Sequence, residues 1–376
     1  MKVSVLQENF KKALEDVGPF IPKNALLPIV AGYKLETDGG RLTITGTDLE
    51  CAITTWCEGK IEEEGSVIVA KGLLLDTVKA LPKERIDLSL DGKTLVLDCA
   101  GRSMRLATLG EVEDYPPIPA FNDQEPTFSL FPDQLDEVIR MVVHCAATDG
   151  QRPVLTGVHV SAKDGTLKFA AADGFRLGVY SMEGVLDHAA NWSFIIPANT
   201  LVKVRRLLKK ETNQVHFTLN SKNTQVEIRA SYEVVSQVIT GTYPNYNMLI
   251  PKNSTTRIEV LRDDLLRAAK AADVYARNGA GIVRLQASHD TTTDLVWLTV
   301  SARAEEVGDY EERLLAVLKG DENKIAINAR YLLDVLSALQ GDVVVMEMTG
   351  LSVPMMWGDR DYNRYIEMIM PIFVQW

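Results

Sequence analysis

Three copies of one pattern of strand, turn and helix follow one another along this chain of 376 residues. Each copy opens with a short alternating strand and an amphipathic helix, and the openings at Val3, Phe128 and Ile258 lie 125 and 130 residues apart. A second strand–turn–helix landmark follows in every copy. Its equivalent points are Ala70, Pro197 and Asn328. Two landmarks in register across three copies indicate a triplicated domain, which restricts the fold more than any single motif does.

Alternating stretches with Gly or Asp turns lie between the landmarks and predict β-hairpins. Each copy should therefore contain two helices and about eight strands, an α+β fold in which helices pack on antiparallel sheets. Segments 115–126 and 243–254 are rich in Pro, Asn and Asp, which is typical of linkers. The predicted domains are residues 1–121, 126–250 and 251–376.

Composition and charge limit the possible functions. No apolar run approaches the ~18 residues that span a bilayer, and the N-terminal segment has no apolar signal region, so we expect a cytoplasmic protein. The 4 cysteines form no CxxC pair and the 5 histidines are scattered, which predicts reduced thiols and no metal site. The formal charge of −11 by itself opposes nucleic-acid binding, although it says nothing about how the charges are distributed.

Basic residues recur on one face of helices in all three copies, whereas acidic residues cluster elsewhere, as in segments 62–64 and 305–312. For a single helix, a solvated surface face is the simpler interpretation. Repetition in every copy instead favours a common basic surface that contacts a phosphate backbone without sequence preference. The candidate DNA-facing side chains from this pattern are Lys11, Lys12, Lys79, Arg140, Lys203, Arg205, Arg206, Lys209, Lys210, Arg267 and Lys270.

Known catalytic motifs are absent from the sequence, which contains no GxxxxGK[ST] loop, no HExxH and no GxSxG. Asp48 and Asp173 occupy equivalent hairpin turns of the first two copies. An Asp in such a position is more often a turn former than a general base. We therefore expect a non-catalytic protein without a cofactor.

Several short segments, in this order, resemble those of bacterial DNA polymerase III beta subunits, the replicative sliding clamps. They are LPIVAGYKLE and GTDLE in the first copy, RPVLTGVHV, AADGFRLGV and YPNY in the second, and ARYLLDVLSAL and IMPI in the third. The resemblance covers the whole chain. It implies a head-to-tail homodimer whose clamp domains close a six-domain ring, with helices lining the hole and sheets outside. Such a ring encircles duplex DNA and tethers the replicative polymerase, which keeps that enzyme at a high effective concentration.

The resemblance also implies a partner site between the second and third domains, an apolar groove for short peptides with a Gln and hydrophobic anchors. The expected partners are the DNA polymerase III catalytic subunit, the clamp loader and other proteins with a clamp-binding motif. Leu, Met and Pro would give the groove an adaptable wall, with Arg176 snorkelling or donating at its rim. Carried over by position, the groove residues are Arg152, Leu155, Ala172, Gly174, Phe175, Arg176, Leu177, Pro244, Met248, Leu249, Tyr331, Ser352, Met368, Met370, Pro371 and Ile372.

Two further sets of positions follow from the resemblance. The dimer would pair the first domain of one chain with the third domain of the other. The interface positions are Met104, Arg105, Leu106, Val274 and Tyr275. The loop residues added to the DNA-facing set are Lys23, Asn24 and Gln151.

This chain departs from the family pattern at the groove and in the N-terminal loop. Family members often carry His and a hydroxyl residue where this chain has Phe175 and Ala172, so the polarity of the groove should differ. Arg is common at the position of Lys23-Asn24, which weakens the DNA contact expected there.

The C-terminal tail, residues 365–376, is also unusual because most of its residues are apolar. Through Met368 we expect it to complete the sheet of the third copy, and Pro371 should end the pairing because Pro has no N–H. The last residues, Phe373 to Trp376, are longer and more apolar than the common ending. One hypothesis is that they cover part of the groove when no partner is bound.

Other functions stay open on the sequence alone. A paralogue of the same fold could be a protein-binding scaffold that does not encircle DNA. An enzyme with an unrecognised site has no supporting motif, and a sequence-specific DNA-binding protein would need a base-reading helix, which no segment resembles.

Overall fold

The computed structural model of the chain describes residues 1–121, 124–209 and 211–375. In this part there are six α-helices and 24 strands, with two helices and eight strands in each repeat. This confirms the triplication and the α+β class predicted from the sequence. In every repeat the second helix begins directly after the predicted landmark residue. None of the helices described is both long enough and apolar enough to cross a membrane.

The helices and strands alternate in the same order in each repeat. The helices are α1 (Gln7–Val17), α2 (Lys71–Ala80), α3 (Pro132–Val142), α4 (Ala198–Leu208), α5 (Arg262–Ala276) and α6 (Ala329–Ala338). The strands of the first repeat are β1 (Lys2–Leu6), β2 (Gly32–Asp38), β3 (Arg41–Thr47), β4 (Cys51–Glu63), β5 (Ser66–Ala70), β6 (Arg85–Asp91), β7 (Thr94–Cys99) and β8 (Arg102–Ala107). Those of the second are β9 (Phe128–Leu130), β10 (Gly157–Lys163), β11 (Thr166–Ala172), β12 (Arg176–Glu183), β13 (Trp192–Pro197), β14 (Val215–Leu219), β15 (Gln225–Arg229) and β16 (Glu233–Gln237). Those of the third are β17 (Thr256–Leu261), β18 (Ile282–Asp290), β19 (Leu295–Ala304), β20 (Gly308–Gly320), β21 (Asn323–Asn328), β22 (Val343–Met348), β23 (Met355–Asp359) and β24 (Tyr362–Ile369).

The chain forms two compact units, and the central repeat contributes to both. Unit 1 consists of Met1–Asp136 and Asn199–Val238, and unit 2 consists of Glu137–Ala198 and Ile239–Trp376. Each unit contains one sheet of 12 strands.

Unit 1 is organised around the 13-residue strand β4. The C-terminal part of β4 pairs with β1, and its N-terminal part pairs with β16 from Glu233↔Thr54 to Ser236↔Cys51. The last strand of the second repeat thus extends the sheet of the first. Helix α1 packs on β4 and on α2, and Phe10 and Leu14, spaced one turn apart, form part of its buried face.

Unit 2 repeats this arrangement with the next pair of repeats. Strand β24, the last of the third repeat, pairs with β12 from Arg176↔Ile369 to Tyr180↔Tyr365. Strand β20 has 13 residues, like β4, and pairs with β19 and, from Ala316 onward, with β17. Among the strands described, none pairs with the other edge of the first half of β20.

Asp48 and Asp173 form turns, as the sequence predicted. The Asp48 Oδ1 atom accepts hydrogen bonds from the N–H groups of Glu50 (3.1 Å) and Cys51 (2.9 Å). The Asp173 Oδ1 atom accepts the equivalent hydrogen bonds from the N–H groups of Phe175 and Arg176. The second carboxylate oxygen of Asp48 binds Lys203 of α4.

The prediction that Lys203 faces DNA is wrong. Only 8% of Lys203 is exposed, and its Nζ atom lies against Asp48, 3.3 Å from the Cys51 sulfur and 5.3 Å from the ring centroid of Phe20. Helical periodicity places this side chain on the basic face of α4. The turn between β3 and β4 packs against that part of the face and supplies a carboxylate.

We expect Asp48→Asn to lower the free energy of unfolding by about 3–5 kcal/mol, because the substitution leaves Lys203 buried without a counter-charge. Urea unfolding near neutral pH measures the loss. The control is Asp48→Asn combined with Lys203→Met, which removes both charges and should cost less. Equal stability of wild type and Asp48→Asn would contradict this account.

The same pair predicts a pH dependence. Burial alone raises the pKa of Asp48, but hydrogen bonds and charge from Lys203 and the backbone lower it below its ordinary value. A depressed pKa contributes stability that is complete above the ordinary carboxyl pKa and is lost as pH falls through the depressed value. The difference between wild type and Asp48→Asn should therefore shrink in acid.

Candidate functional site

A hydrophobic cluster in unit 2 contains much of the floor predicted for the partner groove. Leu155, Leu177 and Met368 are buried members of this cluster, and Ala172 packs against it partly buried. Strand pairing places Leu177 of β12 directly opposite Met368 of β24. Residues from the central and third repeats are thereby brought together, as the resemblance implied.

Exposed apolar side chains accompany this floor. Phe175 is 60% exposed, and its carbonyl accepts a hydrogen bond of 2.8 Å from the N–H of Met370, which is itself 37% exposed. Met248 and Leu249 are 84% and 57% exposed and lie at the end of a short helical turn that begins in the cluster. A contiguous patch of exposed apolar side chains is typical of surfaces that bind partners.

The prediction that Arg176 donates at the groove rim is wrong. The residue is 7% exposed, and its Nε and Nη1 atoms lie 3.0 Å from Asp173 and 2.7 Å from Asp334. Its guanidinium stacks 4.3 Å from the ring centroid of Tyr331. Arg176 therefore joins β12 to α6, and its charge is satisfied by two carboxylates of the chain itself.

Arg152 is the exposed arginine of the predicted set. Its Nη2 atom donates to the carbonyl of Asp173 at 2.7 Å. Gly174 has a φ of +94°, and a Cβ there would lie 2.7 Å from the Arg152 Nη1 atom. Glycine is needed at this turn so that the guanidinium can lie across it.

Aromatic residues beneath the predicted groove were not identified from the sequence. Tyr243 and Tyr246 are buried in the cluster, and the ring of His159 stacks on Tyr243 at 4.9 Å. The YPNY segment contains both tyrosines, so their flanking of Pro244 was the available signal. Pro244 and Ser352 are exposed and are not members of the cluster among the residues described.

The tail follows strands of the third repeat after β24 ends at Ile369. The N–H of Ile372 donates to a carbonyl of β21 at 2.7 Å, and Arg284 of β18 donates to the carbonyl of Gln375 at 2.9 Å. Pro371 and Ile372 are half-buried. Trp376 lies outside the described residues, and the hypothesis that the tail covers the groove stays a prediction.

Several predicted DNA-facing side chains of unit 1 lie on the surface of α1, α2, α4 and a nearby loop. Two of them are paired with acids: Lys79 with Glu15 at 3.4 Å and Arg205 with Asp136 at 2.8 Å. Lys210 lies outside the described residues. The exposed or half-exposed members are Lys11, Lys12, Lys23, Asn24, Lys79, Arg205, Arg206 and Lys209.

Lys71, the first residue of α2, adds to this charge and was missed. Its Nζ atom donates to a backbone carbonyl at 3.0 Å. Burial and the nearby charges of Lys23 and Lys203 lower its pKa, which indicates a locally positive region. Lys71 directly follows Ala70, the landmark residue of the first repeat, so a search for basic residues on the helices could have found it.

In unit 2, some of the side chains predicted to face DNA form contacts within the unit. Arg140 is half-buried and its Nη1 atom donates to the carbonyl of Ala338, and the expectation that it faces DNA stays a prediction. Arg267 is exposed but forms an ion pair of 2.7 Å with Asp264. The remaining exposed members are Gln151 and Lys270.

The residues predicted for the dimer interface lie on strand β8 and on helix α5, beside strand β20. Met104, Arg105 and Leu106 belong to β8, the terminal strand of the unit 1 sheet. The ring of Tyr275 stacks at 5.9 Å on Tyr310 of β20, whose first half has an open edge among the strands described. Val274, beside Tyr275, is 44% exposed.

Comparison with known proteins covers the whole chain. The models for the N-terminal, central and C-terminal domains of the DNA polymerase III beta subunit match residues 1–119, 129–245 and 247–373. The chain is 24% identical to the beta sliding clamp of Bacillus subtilis and 26% identical to that of Synechococcus elongatus, each over 99% of both chains. The crystal structure of the DNA polymerase sliding clamp from Bacillus subtilis superposes with a TM-score of 0.92 at 23% identity, covering 100% of both chains. With all three domain types matched in order, the chain belongs to the DNA polymerase III beta subunit family.

Proposed function

We propose that this chain is a replicative sliding clamp, a non-catalytic cytoplasmic protein that encircles duplex DNA as a homodimer and tethers DNA polymerase III. The observation that carries the proposal is the match of all three beta-subunit domain types, in order, over nearly the full length. The domain boundaries we propose are those predicted from the linkers, 1–121, 126–250 and 251–376. The clamp loader and other proteins with a clamp-binding motif are the further partners.

The charge distribution suits a ring that slides. Exposed cations such as Lys12 and Arg206 lie on helices, and Lys209 directly follows α4, while the acidic surplus of the −11 chain lies largely outside the helices. Contacts with phosphates would be loose and independent of sequence. Retention on DNA would then depend on closure of the ring rather than on affinity.

The strand pairing between consecutive repeats suggests how two chains would close a ring. The last strand of the second repeat pairs with β4, and the last strand of the third pairs with β12. The last strand of the first repeat, β8, is a sheet edge in this chain. Strands β4 and β20 are aligned by equivalent pairings, Val5↔Gly59 in the first repeat and Val260↔Ala316 in the third. In this alignment the open segment 308–311 of β20 corresponds to residues 51–54 of β4, which pair with β16. We infer that β8 of one chain pairs with this segment of a second chain.

Charge complementarity supports this pairing. Arg102 and Arg105 are exposed on β8, and Asp309 and Glu311 are exposed on the open half of β20. Opposite charges across such an interface favour the correct register and disfavour other pairings. Repeating a heterologous contact closes a ring when the rotation allows it.

The groove in unit 2 is the proposed site for partner peptides. Its floor is the buried cluster around Leu177 and Met368, and Phe175, Met248 and Met370 supply exposed apolar contacts. With Phe175 exposed and Arg176 neutralised inside the chain, we expect peptides to be held mainly by apolar anchors, with Arg152 as the cation at the rim.

Retention on circular DNA tests the function. A dimer placed on a nicked circle by a clamp loader should remain bound through gel filtration and should leave once the circle is cut, because the link is topological. Equal retention on linear and circular DNA would overturn the clamp proposal. A monomer that never loads, yet binds partner peptides, would favour the scaffold alternative.

The basic helix face is tested in the same assay with Arg206→Glu combined with Lys209→Glu. Loss of two phosphate contacts should impair loading and lower the slope of log affinity against log salt by up to about 2. The matched control is Lys60→Glu with Lys222→Glu, which changes the charge equally at exposed positions of a strand and a hairpin turn. An effect of the control equal to that of the helix variant would rule out the assignment.

Charge exchange tests the dimer interface. Asp309→Arg with Glu311→Arg should weaken dimerisation about tenfold or more, because like charges then face each other. Adding Arg102→Glu and Arg105→Glu to the same chain should restore the dimer, since both strands of each contact are then inverted. Analytical ultracentrifugation measures both variants. Failure of the combined variant to dimerise, with an intact fold, would argue against the β8–β20 pairing.

Two truncations test the groove. Ending the chain after Ile369 removes Met370 and should weaken binding of a polymerase-derived peptide about tenfold or more, while the dimer persists. The control ends the chain after Ile372, which removes only residues Phe373 to Trp376. Calorimetric titration distinguishes the outcomes: unchanged affinity in the first truncation opposes the groove assignment, and tighter binding in the second would support the hypothesis that the tail covers the groove.

A further inference from the structure

A polar cluster is buried in unit 2 where the central repeat meets β24. His144 and Cys145 lie in the short helical turn that follows α3, and Glu367 lies on β24. Cys145 and Glu367 are fully buried, and the His144 side chain is 17% exposed. The Nδ1 or Nε2 atom of His144, the sulfur of Cys145 and a carboxylate oxygen of Glu367 all lie within 4.8 Å of one another.

The hydrogen bonds of this cluster leave one acceptor unused. The Glu367 Oε2 atom lies 2.9 Å from the His144 Nε2 atom and accepts a hydrogen bond of 2.6 Å from the Tyr365 hydroxyl. The Glu367 Oε1 atom is buried and has no hydrogen-bond partner in the part of the chain that is described. A buried carboxylate oxygen without a partner is costly, and a bound cation would satisfy it.

The surroundings resemble the outer shell of a metal site. The His144 Nδ1 atom is 3.4 Å from the Arg140 carbonyl, which can only accept, so this contact directs the Nε2 atom toward Glu367. A second hydrogen bond that orients a ligating histidine is typical of metal centres. Space is kept open by Gly178, since a Cβ there would lie 2.9 Å from the Cys145 sulfur and 3.0 Å from the Tyr365 hydroxyl.

We propose that His144, Cys145 and Glu367 bind a divalent transition-metal ion of the zinc class. Imidazole, thiolate and carboxylate together suit Zn²⁺, whereas Mg²⁺ and Ca²⁺ prefer oxygen ligands alone. Ligand atoms of a tetrahedral zinc site are separated by about 3.3–3.8 Å, so shifts of about an ångström convert the observed cluster into a site. The thiolate and the carboxylate together neutralise the ion.

Nearby charge does not oppose the ion strongly. The guanidinium of Arg176 interacts electrostatically with Cys145 and Glu367, but it is paired with Asp173 and Asp334. Tyr365 or a water would complete the coordination.

The position gives the ion a structural role. It would join the turn after α3 in the central repeat to β24 of the third repeat, and the chain leaving β24 forms one wall of the proposed groove. The metal would therefore hold the C-terminal strand beside β12. Histidine and cysteine are adjacent in the sequence, but Glu367 lies more than 200 residues away, so no ligand spacing reveals the set.

Metal uptake by the full chain is the test. After removal of metals with a chelator, equilibrium dialysis against Zn²⁺ should show one ion bound per chain, and Zn²⁺ should raise the melting temperature. With Co²⁺ as a probe, a sulfur-to-cobalt charge-transfer absorption band should appear. A wild-type chain that binds no ion stoichiometrically overturns the proposal without any variant.

Variants assign the ligands. Cys145→Ala should abolish the cobalt band, and Cys145→Ala and Glu367→Gln should each weaken zinc binding at least about a hundredfold. The matched control is Cys57→Ala, which removes another buried thiol in unit 1 and should change neither quantity. Circular dichroism confirms folding. Zinc binding and a cobalt band that persist in Cys145→Ala would show that the ion binds elsewhere, and the cluster would then be a hydrogen-bonded network only.

Discussion

Backbone pairing between the last strand of one repeat and a strand of the preceding repeat is the interaction on which both units depend. In unit 1 this is β16 on β4, and in unit 2 it is β24 on β12. Each pairing satisfies N–H and C=O groups that an edge strand would otherwise leave open. It also extends each sheet to 12 strands, on which the helices pack through apolar faces.

The same constraint links structure to the proposed function. Among the strands described, two such junctions form within the chain, and β8 and the first half of β20 are the corresponding strand edges that have no such partner. A second copy is the simplest way to satisfy both edges. The proposed groove also depends on a junction, because Leu177 and Met368 meet only through the β12–β24 pairing. The buried cluster of His144, Cys145 and Glu367 lies along this junction, beside the pair Gly178↔Glu367.

Basic side chains illustrate why periodicity alone is an incomplete guide to a surface. Helical periodicity placed Lys203 on a DNA-facing surface, and the resemblance placed Arg176 at the groove rim, yet both side chains are buried and paired with carboxylates of their own unit. A helical wheel identifies the side of a helix but not what packs against it. Burying a charged group is costly unless it is paired, so each of these residues is accompanied by a carboxylate or a carbonyl distant in sequence. The exposed arginine of the groove, Arg152, could not be distinguished from Arg176 before the turn at Gly174 was known.

The number of repeats, the two helices and eight strands of each, the turn-forming role of Asp48 and Asp173, and the family could all be predicted from the amino-acid sequence. These features depend on local propensity and on patterns that recur at a fixed spacing, and both can be read from the amino-acid sequence. Only the folded chain shows which cations are neutralised, which of the described strand edges are left open, that Tyr243 and Tyr246 join the buried cluster of unit 2, and that Glu367 meets His144 and Cys145. Those outcomes depend on contacts between residues far apart in sequence, and strand register, which sets them, is established only when the sheets assemble.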